Sequence, residues 1–185
     1  MKKILTGLVA LAISGMVSAG SVTVEGTKSN AIDGNDQMST SFSLRERINN
    51  TFDVHTQFSS SQTDNSNSVS TRLEIGGTAT VPLFSSIKGY TRIGLGQRYS
   101  TAGSFTYYSV EPGVTVPLSP SLTARVGYRY RTALENTNIN KYTTDTVRVG
   151  ATYAVNNKNA VGFRYDRITG DSRQDGYNLF YSRSF

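Results

Sequence analysis

A chain of 185 residues without a single cysteine is one domain's worth of protein, and it is no disulfide-stapled miniature. Only 37% of its residues are hydrophobic, and after the first twenty positions no apolar run is long enough for a membrane helix. That excludes helical spans but not a β-barrel, whose strands need only half their residues apolar. Setting aside Lys2 and Lys3, seventeen basic residues face thirteen acidic ones, a mild +4, so placement of charge matters more than amount.

Met1-Lys2-Lys3 is a basic start, Ile4 to Ile13 is largely apolar, and Val17-Ser18-Ala19 sets small residues before Gly20. This pattern predicts a secretory signal over 1–19, cleaved before Gly20, with 20–185 as the outer-membrane barrel domain. From Gly20 onward, period-two stretches alternate with polar turn clusters. They predict strands over 21–27, 39–49, 51–61, 68–82, 86–99, 104–117, 121–133, 143–155, 159–169 and 176–185. No stretch carries a helical stripe. Connections at 48–51, 83–86, 117–120 and 155–158 are tight, whereas 28–38, 62–67, 100–103, 134–142 and 170–175 are longer and polar. Short turns at one end and longer loops at the other fit an all-β, closed antiparallel transmembrane barrel. Ten strands is the reading, with twelve or eight as alternatives, because Ser100–Ser104 and the first strand are ambiguous.

Strand 121–133 sorts its residues best. Leu122, Ala124, Val126, Tyr128 and Tyr130 share one face, and Thr123, Arg125, Gly127, Arg129 and Arg131 share the other. Apolar-in would make a soluble barrel; polar-in makes a membrane barrel. Polar-in is favoured by aromatics near strand ends on the apolar face: Tyr99, Tyr108, Tyr130 and Tyr177 toward the loops, Phe52, Tyr153 and Phe185 toward the turns. Glycines recur on the polar face, among them Gly76, Gly94, Gly96, Gly113, Gly127, Gly150 and Gly162, and make room in a narrow lumen. Glu46 falls on the lipid side by alternation, unless a bulge shifts the register.

The polar face then gathers Arg45, Arg47, Arg72, Lys88, Arg92 and Arg98 from the first half, and Arg125, Arg129, Arg131, Arg148 and Arg164 from the second. Glu25, Asp53, Glu74, Glu111 and Asp166 oppose them. Arg129, Arg148 and Arg164, on consecutive strands, are expected to form a ladder near mid-depth. Buried charge in such excess needs water or anions. One reading is an anion-favouring diffusion channel. The other is a filled structural barrel, in which arginines lie over glycines and pair with Glu74, Glu111 and Asp166.

The arginine-lined small barrel, Gly127-Tyr128-Arg129-Tyr130-Arg131, Phe163-Arg164-Tyr165 and the ending Tyr177-Asn178-Leu179-Phe180-Tyr181 resemble the oligogalacturonate-specific porin family. The resemblance is best in the second half. It implies a twelve-stranded porin that passes acidic sugars along a lumenal arginine track, here carried over to Arg92, Arg125, Arg129, Arg148 and Arg164. Tyr181 and Phe185 also resemble the C-terminal signature by which outer-membrane proteins are recognised for assembly, from which Arg183 departs.

No enzyme is expected. His55 is the only histidine, and Asp53 and Gln57 share its face, the pattern of a structural hydrogen-bonding pair rather than a catalytic base. No metal or cofactor is expected either; Asp33-Gly34-Asn35-Asp36 reads as turn chemistry rather than a calcium loop. Nothing points to nucleic acid. The implied partners are outer-membrane lipid and lipopolysaccharide, the barrel-assembly machinery and small anionic solutes, with surface interaction through the outer loops as the competing role.

Overall fold

The structure is a computed structural model that describes residues 20–31, 36–64, 68–101, 103–135 and 142–185. The expected signal at 1–19 and most of the Asp33–Asp36 cluster lie outside those residues. Ten strands follow one another: β1 (Gly20–Ala31), β2 (Gln37–Arg47), β3 (Phe52–Thr63), β4 (Val69–Phe84), β5 (Ile87–Ser100), β6 (Gly103–Pro117), β7 (Leu122–Ala133), β8 (Thr143–Ala154), β9 (Asn159–Gly170) and β10 (Gln174–Ser184). Each pairs antiparallel with its neighbour in sequence, and β1 closes the ring on β10 from Ser21↔Ser184 to Ala31↔Gln174. Closure satisfies the last two strand edges, which no open sheet in lipid could leave bare.

The ambiguities of the sequence resolve to ten. Thr101 and Ala102 alone separate β5 from β6, and Gly103 at φ 129° begins the second strand. The first strand is longer than its weak pattern implied, because it is paired on both sides and its ladders run on through polar residues. For the same reason the loops shrink. The connection at 134–142 stays long, while β9 and β10 are joined by 171–173 alone.

Three turns at the opposite end share one device. Asn49, Ser119 and Asn156 each use a side-chain oxygen to accept the backbone N–H groups two and three residues on, at 2.8–3.3 Å. This chemistry reverses the chain tightly without glycine.

Alternation sets the two faces as the sequence indicates. Outside stand Ile75, Leu95 and Leu179, at 62%, 51% and 69% exposure; inside, Glu74, Glu111 and Arg129 are nearly sealed. Such a surface is the inverse of a soluble barrel and belongs in hydrocarbon. Tyr108 packs on Tyr130, and Tyr165 on Tyr177, toward the loop end; Phe52, Tyr153 and Phe185 stand exposed toward the turns. No bulge interrupts β2. Glu46 pairs with outward-facing Val54 and so lies on the outer face, close to the turn.

Inward glycines are seats for aromatic rings. The Tyr90 hydroxyl occupies the space a Cβ would need at both Gly113 and Gly127, Tyr107 fills that at Gly96, and Phe180 that at Gly162. Gly127→Val must push Tyr90 aside, and is expected to cost about 1–3 kcal/mol. Gly26→Ala, with no atom within 4 Å of the new methyl, serves as the control. The urea midpoint of the refolded barrel in micelles measures both, and equal midpoints would show that Tyr90 moves freely.

Candidate functional site

Of the charged side chains assigned to the polar face, Glu25, Arg45, Arg72, Glu74, Arg92, Glu111, Arg125, Arg129, Arg131, Arg148, Arg164 and Asp166 line the interior cavities, and Arg72, Arg92, Arg98, Arg125, Arg129, Arg131, Arg148 and Arg164 all lie on β4–β9. The wall formed by β10, β1, β2 and β3 is different. Thr27, Ser29, Ser39, Ser41, Ser59 and Asn178 line it, short polar residues that leave space. Toward the loops, long cations on one side and mostly short polar groups on the other make an asymmetric lumen, whereas toward the turns Arg45 on β2 and Phe180 on β10 enter from the second wall.

Burial without partners would be ruinous for these charges, and the structure shows how they are met. Glu74 on β4 takes Arg129 at 2.7 Å, Arg92 at 3.1 Å and Arg131 at 3.5 Å, and accepts the Tyr107 hydroxyl at 3.1 Å. Glu111 on β6 takes Arg148 at 2.7 Å and Arg125 at 3.2 Å, and accepts the Tyr90 hydroxyl at 3.2 Å. Asp166 lies 2.7 Å from Arg164 and 3.6 Å from Arg148, and Arg164 reaches across to Glu25 on β1 at 2.8 Å. Arg129 also approaches Glu111, at 3.9 Å. The result is one alternating chain, Glu74–Arg129–Glu111–Arg148–Asp166–Arg164–Glu25, that crosses the lumen.

The expected ladder of Arg129, Arg148 and Arg164 is therefore present as part of this septum, stepped rather than level. Arg148 sits opposite Gly127, and Arg164 opposite Gly150. The pairing expected between His55 and Asp53 is absent. Asp53 instead binds Arg45, two residues diagonal across the ladder, and His55 turns to Glu74 at 3.8 Å. Arginine outcompetes histidine here because its fork engages both carboxylate oxygens.

Two cavities flank the septum. The one toward the turns is about 310 Å³ and the one toward the loops about 110 Å³. Both touch Glu25, Ser41, Gln57, Arg148 and Arg164, so these five residues border the narrowing, or neck, that separates the two cavities at the septum. Among the described residues, Arg47, Arg72, Lys88 and Arg98 have no carboxylate within ion-pair reach. Arg72 and Arg98 belong to the loop end of β4 and β5, and Arg47 and Lys88 to the turn end of β2 and β5.

No protein-family model matches the sequence, and no curated protein matches it either. Solved structures do. An outer membrane channel from Pseudomonas putida F1 superposes with a TM-score of 0.62 at 10% identity, over 92% of this chain and 96% of that one. The translocator domain of the autotransporter NalP from Neisseria meningitidis gives 0.56 at 8% identity, over 100% and 96%. The fold is that of bacterial outer-membrane barrels. The NanC porin adds 0.52 at 12% identity, over 89% and 100%. At such identities the likeness extends to architecture, and it includes porins without singling out the oligogalacturonate-specific ones.

Sequence reading missed the lumenal aromatics. Tyr90, Phe105, Tyr107 and Phe180 point inward. Their parity gave the signal: Tyr90 is two residues from Arg92, and Tyr107 four from Glu111. The aromatics read from the sequence were those of the outer girdles, and these four were assigned to neither face.

Proposed function

We propose that the chain is a small outer-membrane porin whose arginine-lined lumen favours passive diffusion of small anionic solutes such as acidic sugars. The observation that carries this reading is the surplus of guanidinium groups over carboxylates among the residues that line the two cavities. A low-dielectric wall with one sign of excess charge raises the local concentration of the opposite ion. Guanidinium forks suit carboxylates in particular. Solute moves along the short serine and threonine wall and past Glu25, Arg148 and Arg164. Outer-membrane lipid and lipopolysaccharide surround the apolar band, and the assembly machinery engages Tyr181 and Phe185. The role is not enzymatic and calls for no cofactor.

The septum itself favours a second reading, a closed structural barrel acting through its outer loops. Planar-bilayer recording of the refolded mature chain under a KCl gradient separates the two. A porin gives steady conductance with a chloride-selective reversal potential, blocked by an acidic oligosaccharide. That preference falls in the Arg129→Ala/Arg148→Ala double variant. Silence from a protein with folded-barrel gel mobility sinks the porin and leaves the closed barrel.

A further inference from the structure

Arg72 on β4 and Arg98 on β5 stand directly opposite each other in the ladder, on the lumenal face near the loops. Like charges in that position repel, yet among the described residues neither has a carboxylate partner. Arg98 has only the Ser70 hydroxyl, 3.0 Å from its Nε. Arg131 is adjacent on the loop side, and its one carboxylate, Glu74, is shared with Arg92 and Arg129.

Aromatic faces hold these guanidinium groups in place. Arg98 lies 5.2 Å from the Tyr142 ring centre and 5.8 Å from that of Phe105, and Arg131 lies 4.8 Å from that of Tyr107. Contacts of this kind fix the orientation of a cation without neutralising it. Tyr142 belongs to the connection between β7 and β8, outside the strands, and lines the same cavity as Arg72 and Arg131. Burial pushes its phenol up, but Arg72, Arg131 and Arg98 outweigh burial and hold it down at about 7. A readily ionised phenol oxygen thus serves cations of which two, Arg72 and Arg98, have no carboxylate partner among the described residues.

We propose that Arg72, Arg98 and Arg131, with Tyr142 as the internal oxygen that yields to a ligand, form a binding site for a small multivalent oxyanion, a di- or tricarboxylate, at the loop-end mouth. Forks on neighbouring strands, about 5 Å apart at the backbone, suit two carboxylates of one short acid better than a single chloride. Occupancy needs the mouth alone. Binding and conductance are therefore separate properties, and either can fail without the other.

The test is calorimetric titration of the refolded full chain in micelles with citrate, with chloride and glycerol as controls. Citrate gives saturable one-to-one binding. Arg72→Gln and Arg98→Gln each weaken it about tenfold or more, the loss of a charge-assisted hydrogen bond. Lys88→Gln, at the opposite mouth, leaves it unchanged, and Tyr142→Phe binds at least as tightly because a competing oxygen is gone. In the unmodified chain, citrate also moves the phenolate absorbance of one tyrosine to higher pH, a shift that Tyr142→Phe abolishes. This measurement needs no arginine variant to fold. Absence of saturable citrate binding by folded protein, equal weakening by Lys88→Gln, or a phenolate band indifferent to citrate overturns the site. Conductance recorded alongside tells whether the porin reading survives that failure.

Discussion

Glu74→Ala is expected to destabilise the barrel by about 3–5 kcal/mol, the loss that follows when buried charges are stripped of their partner. Glu74 is 2% exposed and serves Arg92, Arg129 and Arg131 at once. Arg129 is itself 4% exposed, and its other carboxylate, Glu111, is 3.9 Å away. Removal of the shared anion leaves three cations facing one another with little water to separate them. Glu111→Ala is expected to cost less, since Arg125 is partly exposed and Arg148 keeps Asp166. Asp53→Ala should cost about 0–1 kcal/mol, because its partner Arg45 is solvent-accessible. Urea titration of the three variants in one micelle system ranks them. A Glu74→Ala midpoint equal to that of Asp53→Ala would mean that water or mobile ions already screen the septum, and the ion-pair chain would lose its structural role.

How far the sequence foretold this arrangement depended on whether parity or geometry governed each feature. Parity within a strand is a local property, so Arg129 and Glu74 could be assigned to the lumen from their neighbours in sequence. Strand number followed from counting alternations. Pairing across the lumen is not local. Glu74 meets Arg129 only because closure brings β4 to face β7 across a narrow interior, and no spacing in the sequence encodes that distance. The surplus of bases over acids on the polar face was therefore legible, while the sharing of each carboxylate among several arginines was not. Tyr90 shows a different failure: the sequence reading assigned it to neither face, and only the seats at Gly113 and Gly127 reveal why a ring turns inward there. Likewise His55 and Asp53 share a face as expected, but Arg45 was the stronger competitor for the carboxylate.

The neck offers the sharpest functional consequence. Glu25 is the only carboxylate among the five residues that border both cavities, and its oxygens lie 2.8 and 3.0 Å from Arg164. Arg164 keeps Asp166 and Asn178 when Glu25 is lost, at 2.7–3.1 Å, so the guanidinium stays on its wall. Glu25→Ala therefore both widens the neck and leaves its charge more positive. A several-fold rise in conductance is expected, with the reversal potential moving further toward the chloride limit. Width and charge can be told apart. Glu25→Gln changes charge with almost no change in volume, and should raise chloride preference more than conductance. Arg164→Ala widens the neck while removing a cation, and should raise conductance as chloride preference falls. If Glu25→Gln and Arg164→Ala shifted the reversal potential in the same direction, the neck would not be the selective element, and selectivity would have to reside at the mouths, where Arg72 and Arg98 have no carboxylate partner among the described residues.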